Sequence, residues 1–124
     1  DGSLCFLDFE YFGWDDPVKL IADFIWHPAM ELQEPIKEIW VKSTLENFSR
    51  DKNIPQRFHA ALPLFGLRWV MIILNEYLAE GFQRRTHAGK SRMRDWDWEK
   101  TTQLKKAIDL TRKIKSNQYI NVYV

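Results

Sequence analysis

Apolar residues follow two patterns along this chain. Leu4 to Leu7 form an uninterrupted apolar run that ends at Asp8, which predicts a short buried strand, although four residues are also compatible with a helix. After Asp16 the apolar positions recur with the three-to-four-residue spacing of amphipathic helices. Together these patterns predict a mostly α fold, with one short leading strand followed by about five helices.

Proline residues mark the boundaries of the first helices. Asp16 and Pro17 suit the N-cap and first position of a helix that should continue to Trp26 and end before Pro28. A second helix should run from Pro35 to about residue 48. Its predicted apolar face comprises Ile36, Ile39, Trp40 and Phe48.

The middle of the chain predicts two helices separated by a proline. Asn53 and Gln56 resemble a capping box and predict a third, short helix that Pro63 ends or kinks. Residues 64–80 should form the longest and most buried helix, with Gly81 as its C-cap. Its predicted core residues are Trp69, Met71, Ile72, Ile73 and Leu74.

The last third of the chain predicts one further helix. Residues 82–95 form a polar, basic connection, and residues 97–115 form an amphipathic helix. The tail, residues 119–124, alternates weakly between apolar and polar positions and predicts a short strand or a docked extension. The predicted apolar face of the last helix comprises Leu104, Ala107, Ile108 and Thr111.

Composition and charge narrow the classes of partner. The net charge of +1 creates no strong field, so it argues neither for nor against nucleic acid, and we expect no such partner. The single cysteine, Cys5, cannot form an intrachain disulfide, which fits a reducing, cytoplasmic location. The most apolar stretch, residues 60–74, carries Pro63 and Arg68 and is too short to span a bilayer, so we expect no membrane partner.

The segment after the leading strand carries the candidate chemistry. An apolar strand that ends in a carboxylate is a common way to place a ligand for Mg²⁺ that bridges ATP phosphates. Asp8 and Glu10 are two residues apart on extended backbone, so both could face one metal. The plain alternative is that Asp8 caps a turn and that Glu10 is solvated.

Residues 8–11 (Asp-Phe-Glu-Tyr), followed by Gly13 and Asp16-Pro17, resemble the metal-binding segment of the aminoglycoside phosphotransferase and choline kinase superfamily. The resemblance is specific over residues 4–28, and beyond them it rests only on a compatible order of helices. It implies a protein-kinase-like fold and transfer of the ATP γ-phosphoryl group to a hydroxyl of a small molecule. Asp8 would be the Mg²⁺ ligand, with Glu10 as an auxiliary.

The chain also departs from this family. An Asp usually lies three residues after the Pro, but Leu20 occupies that position here and the next acid is Asp23. The catalytic loop, H-x-D-x-x-x-x-N, would lie before residue 1, and none of His27, His59 and His87 is followed two residues later by Asp. We therefore expect residues 1–124 to be a single helical domain, the C-terminal fragment of a phosphotransferase, with no catalytic residue of its own. The isolated chain should be inactive.

Other patterns have simpler explanations. Gly89-Lys90-Ser91 lacks the earlier Gly and the strand of a phosphate-binding loop. The three histidines lack the spacing of a metal site, and one cysteine excludes a thiolate zinc site. The basic residues around this motif could contact phosphate or an acidic partner, but a solvated loop explains them more simply; they are Arg84, Arg85, Lys90, Arg92 and Arg94.

The acceptor site and the rival functions stay open at this stage. Trp26 and Trp40 could line an acceptor pocket among the helices after Pro17. An acidic cluster could attract a cationic acceptor such as an amino sugar or a choline-like amine, but a solvated charged face explains it more simply; its members are Glu31, Glu34, Glu38 and Glu46. The rivals are a non-catalytic helical interaction module and a degenerate kinase-like protein that binds nucleotide without turnover. Self-association of a truncated chain is a further hypothesis.

Overall fold

The computed structural model describes residues 2, 3, 5, 13–78 and 93–116, except for the side chains of residues 93–95. This part of the chain is mostly helical, as predicted. It contains helix α1 (Pro17–Trp26), helix α2 (Glu34–Asn47), helix α3 (Ile54–Ile73), a 3-10 helix (Leu74–Tyr77) and helix α4 (Met93–Ser116). The predicted leading strand lies outside the described residues, apart from an exposed Cys5.

Helix α1 begins and ends where the sequence predicts. The Oδ1 atom of Asp16 accepts a hydrogen bond from the main-chain N–H of Val18 at 2.9 Å, and Pro17 occupies the first turn. This cap satisfies one of the N–H groups that have no partner within the helix. The buried positions of α1 follow the helical period: Val18, Ile21, Ala22 and Ile25.

Helix α3 corrects the prediction of two helices around Pro63. The helix runs without a break from Ile54 to Ile73, so Pro63 does not end it. A proline inside a helix costs about 3 kcal/mol, but the buried side chains of Phe58 and Leu62 on one side and the buried Gly66 on the other hold the helix against its neighbours. Within the described ranges the longest helix is instead α4, with 24 residues.

The predicted capping box at the start of α3 is also wrong. Asn53 has αR backbone angles and its side chain makes no capping hydrogen bond. Its main-chain N–H instead donates to Oδ1 of Asp51 at 3.0 Å. The turn before α3 is therefore organised by Asp51, two residues before the position that the pattern indicated.

Helix α3 is longer than residues 60–74, the apolar stretch that is too short to span a bilayer. Residues 54–77, which comprise α3 and the 3-10 helix, contain an 18-residue window with a mean hydropathy of 1.4 and are long and apolar enough to cross a bilayer by length and composition alone, whereas residues 60–74 by themselves are too short. The core helix of a soluble protein meets the same criterion. In this structure α3 packs against α1 and α4.

The core lies where α3 crosses α1 and α4. The indole N–H of Trp26 donates to the main-chain carbonyl of Leu62 at 2.8 Å in a buried position. Gly66 allows the closest approach, because a Cβ added there would lie 2.8 Å from Cδ1 of Ile114 and 3.1 Å from Cε2 of Trp26. Three helices therefore meet at a glycine, and their packing depends on its missing side chain.

The predicted apolar faces are buried only in part: Ile73 and Ala107 are buried as predicted, but other members are exposed. In α2 the buried residues are Val41 and Thr44, whereas Ile36, Ile39 and Phe48 are exposed. In α4 the buried residues are Ala107 and Ile114, whereas Leu104 and Ile108 are exposed. Of the predicted core of α3, Ile73 is buried and Trp69 is partly buried, but Met71 and Ile72 are exposed. Both α2 and α4 carry apolar residues on more than one face, and the neighbouring helix selects which face is covered.

Candidate functional site

The predicted metal ligands, Asp8 and Glu10, lie outside the described residues. After Cys5, the next residue that the structure describes is Gly13, three residues before Asp16 at the cap of α1. Among the described residues, no group of three or more His, Cys, Asp and Glu side chains is arranged to hold a metal ion. The structure therefore shows the last residues of the motif, from Gly13 onward, and the helices that follow it.

Arg57, Asp16 and Asp51 form an arginine clamp at the start of α1. The guanidinium of Arg57, in the first turn of α3, donates to both oxygens of Asp16 at 3.0 and 3.3 Å. Its other terminal nitrogen donates to Oδ2 of Asp51 at 2.9 Å. These contacts tie the cap of α1 to the start of α3 and to the turn before it, so the last residues of the motif are held from two sides.

The clamp changes the titration of its own carboxyl groups. The hydrogen bonds from Arg57 and then from the N–H of Val18 lower the pKa of Asp16. The pKa of Asp51 is lowered by the N–H of Asn53 and then by Arg57. Both carboxylates therefore stay charged to lower pH than an isolated Asp, which keeps the clamp closed into the acidic range.

The carboxylate of Asp23, on α1, accepts hydrogen bonds from two residues of α3. Its two oxygens accept from Nη1 of Arg68 at 2.8 and 3.0 Å, and Oδ1 also accepts from the indole N–H of Trp69 at 3.0 Å. Lys19 lies 3.7 Å from the other oxygen. The carboxylate thus joins α1 to α3 and is occupied by donors of this chain. Leu20, three residues after Pro17, is exposed.

A cleft of about 460 Å³ lies at the opposite end of α1. It is bordered by the end of α1, the turn that leads to α2, the first turn of α2 and one face of α4. This volume is within the usual range for small-molecule sites. Its apolar floor contains four side chains, of which the first three are buried and the last is partly buried: Ile25, Trp26, Ile73 and Leu110.

Charged side chains form the rim of the cleft. Nζ of Lys37 lies 2.6 Å from Oε1 of Glu34, and the Lys37 side chain is only 16% exposed. Asp109 is paired with Arg112 at 3.1 Å. Lys106, Lys113 and Glu31 also border the cleft. Glu31 has a positive φ of 44°, in the left-handed region that non-glycine residues seldom adopt, so the turn that carries it is strained.

The structure separates the residues that the sequence grouped as an acceptor site. Trp26 lines the cleft, but Trp40 lies elsewhere, with its ring 4.3 Å from that of Phe24. Of the predicted acidic cluster, Glu31 and Glu34 line the cleft, whereas Glu38 and Glu46 are not part of its lining. Sequence reasoning missed all three lysines of the rim, because Lys37 is about 70 residues away from Lys106 and Lys113 in the chain.

The histidines behave as the simpler explanation predicts, as far as they are described. Nδ1 of His27 accepts from the N–H of Ala29 at 3.2 Å, and its ring packs edge-on against Trp69 at 4.8 Å. His59 is an aromatic neighbour of Phe58. His87 and the basic residues around Gly89-Lys90-Ser91 lie outside the described residues. His27 therefore closes the turn after α1 and supports one wall of the cleft.

A second, shallower depression of about 270 Å³ lies beside the arginine clamp. Asp16 and Arg57 form its polar edge. Its apolar lining is Val18, Ala60, Ala61, Leu64 and Phe65. Leu64 belongs to an exposed apolar stripe of α3, with Leu67 and Met71 one and two turns further along.

Comparison with known proteins gives no further assignment. No protein-family model matches the chain, no curated protein matches it, and no solved structure matches it.

Proposed function

We propose that this chain is the C-terminal helical part of an ATP-dependent small-molecule phosphotransferase. Its fold would be the all-α part of a protein-kinase-like lobe, led by one short strand. Asp8, with Glu10 as an auxiliary, would hold Mg²⁺, which neutralises phosphate charge when ATP is bound. The parent protein would transfer the γ-phosphoryl group to a hydroxyl of its acceptor, and the isolated chain would be inactive.

The observation that carries this proposal is the continuity between the motif and the helix that follows it. The motif ends in Asp16-Pro17, and these residues form the cap and first turn of α1. Arg57 holds Asp16 from α3. Metal ligands at phosphoryl-transfer sites require a rigid support, and the fixed end of the motif, eight residues after Asp8, would contribute to it. The cleft among the later helices supports the proposal by offering a place for an acceptor.

The first test is the coding sequence upstream of Asp1. An H-x-D-x-x-x-x-N segment within about a dozen residues would supply the missing catalytic loop. An open reading frame that continues upstream without that segment would contradict an active parent enzyme.

The second test is made on the complete parent protein. Asp8→Ala should abolish Mg²⁺-dependent ATP turnover, because the metal would lose its main ligand. Asp97→Ala is the matched control, because Asp97 is an exposed acid on α4 and should leave turnover unchanged. Equal activity of the Asp8→Ala variant and the wild-type protein would exclude Asp8 as the essential ligand.

One observation favours the rival function of a non-catalytic interaction module. Leu64 and Met71 are each 65% exposed and Leu67 is 45% exposed, on one side of α3. A partner could cover such a stripe. The rival predicts that the isolated chain associates, and that Leu64→Lys together with Met71→Lys returns it to a monomer in size-exclusion chromatography. A monomeric wild-type chain over a wide concentration range would contradict self-association.

A further inference from the structure

We propose that the cleft between α1, α2 and α4 binds a small molecule that carries an anionic group, a carboxylate or a phosphate. This inference rests on the proposed function only in naming that molecule as the phosphoryl acceptor. It differs from the cationic acceptor that the acidic residues of the sequence indicated.

The charges that remain unpaired in the cleft favour an anion. Glu34 is paired with Lys37, and Asp109 is paired with Arg112. For Lys106 and Lys113, no carboxylate among the described side chains lies within 4.0 Å. Two lysines that line the cleft therefore have no counter-ion among the described side chains, and Glu31 is the lining acid for which no ion pair is seen among them.

The spacing of the two lysines suits one ligand. Lys106 and Lys113 are seven residues apart, so they lie on the same side of α4 at a rise of about 10 Å. Leu110 lies between them on the apolar floor. Long flexible lysine stems allow both ammonium groups to reach one anionic group above Leu110.

Lys106 and Lys113 differ from the other lysines of α4 because they border the apolar floor of the cleft. Lys105 and Lys115 are also exposed on this helix, but they do not line the cleft. Lys106 and Lys113 border a concave surface whose floor includes Trp26, 7% exposed, and Ile73, 7% exposed. A concave apolar floor with a few convergent charges is the usual construction of a small-molecule site.

The test compares four six-carbon probes of similar size and different charge. Gluconate carries a carboxylate, glucose 6-phosphate carries a phosphate, glucose is neutral and glucosamine is cationic. Binding is measured by titration of the ¹⁵N-labelled chain, with the indole N–H of Trp26 and the amides of residues 106–113 as reporters. We expect the two anions to shift these signals at lower concentration than glucose or glucosamine, and their ranking separates a carboxylate site from a phosphate site.

Matched variants assign the effect to the cleft. Lys106→Gln with Lys113→Gln should weaken anion binding about tenfold, because two solvent-exposed charge contacts are lost. Lys105→Gln with Lys115→Gln removes the same charge from α4 outside the cleft and should change binding less than about twofold. Glu31→Gln should strengthen anion binding, since it removes the opposing charge.

The outcomes separate this inference from the proposed function. Tightest binding of glucosamine, equal effects of the two lysine pairs, or no binding of any probe would overturn the anionic cleft. Anion binding that depends on Lys106 and Lys113 supports the anionic cleft, whether or not the parent protein turns over ATP. Absence of ATP turnover would count only against the phosphotransferase proposal. Phosphorylation of glucosamine by the parent protein without anion binding would have the reverse meaning.

Discussion

Gly66 of α3 and Ile114 of α4 are packed so closely that a single added carbon would overlap. A Cβ built on Gly66 would lie 2.8 Å from Cδ1 and 2.9 Å from Cγ1 of Ile114. The ring of Trp26 lies at 3.1 Å from the same point, on the side of α1. The missing side chain is therefore what allows α1, α3 and α4 to meet.

Gly66→Ala should destabilise the chain although alanine favours helices. Overpacking of a core costs about 1–3 kcal/mol, and the gain in helix propensity is about 1 kcal/mol. We expect a net loss of about 1 kcal/mol in the free energy of unfolding, measured by urea denaturation. Ile114→Val removes Cδ1, so the double variant should lose less than the sum of the two single variants. A Gly66→Ala variant more stable than wild type would contradict the close packing.

Trp26→Phe should lower stability through a lost hydrogen bond. The indole N–H donates to the carbonyl of Leu62 at 2.8 Å in a buried position. Phenylalanine cannot donate and is smaller, so the expected loss is about 1–3 kcal/mol in the free energy of unfolding. Trp98→Phe is the matched control, because Trp98 is 68% exposed. Equal losses in the two variants, measured by thermal or urea denaturation, would exclude a special role of the bond to Leu62.

Local signals made α1 predictable and left α3 unpredictable. The cap at Asp16 and the prolines at 17 and 28 act within a few residues, so the sequence contains the whole signal for α1. Pro63 is different, because its effect on α3 depends on contacts with α1 and α4. A proline that would end an isolated helix is retained here since the flanking residues are buried.

The candidate cleft was predictable only in part. Trp26 was expected near an acceptor and does line the cleft. Its rim joins Lys37 to Lys106 and Lys113, which are about 70 residues further along the chain and have no shared local pattern. Long-range juxtaposition of this kind follows from helix packing, which periodicity does not specify. Asp8 and Glu10 lie outside the described residues, so the predicted metal site stays a prediction.

Asp23→Ala should loosen the contact between α1 and α3. The carboxylate accepts hydrogen bonds from Arg68 and from the indole of Trp69, and its removal leaves the indole N–H without that acceptor. Hydrogen bonds to charged groups contribute about 1.5–3 kcal/mol, reduced here because the Asp23 side chain is 26% exposed. We expect a loss of about 1–2 kcal/mol in the free energy of unfolding.

Asp109→Ala is the comparison for Asp23. Asp109 pairs with Arg112 three residues away on the surface of α4, and exposed pairs of this kind contribute about 0.5 kcal/mol or less. A loss for Asp23→Ala no larger than that for Asp109→Ala would contradict the structural role assigned to Asp23. Such a result would reopen a functional role for this acid in the parent protein.

The arginine clamp should make stability depend on pH in the acidic range. Asp16 and Asp51 have lowered pKa values in the folded chain, so the folded state binds fewer protons than the unfolded state below the ordinary Asp value of 3.8. The stabilisation is therefore complete above this value and is lost as the pH falls through the lowered pKa values. Urea midpoints should therefore decline as the pH falls below about 4.

Arg57→Gln should flatten this decline. Without the guanidinium, the pKa values of Asp16 and Asp51 should move back towards 3.8, and the difference between folded and unfolded chains should shrink. Arg112→Gln removes the same charge from an exposed pair on α4 and should leave the slope nearly unchanged. Identical slopes for wild type and Arg57→Gln would show that the acid sensitivity comes from other carboxyl groups. If the dependence of the urea midpoint on pH flattens only in Arg57→Gln, the acid sensitivity arises at the junction where the predicted metal-binding segment meets α1.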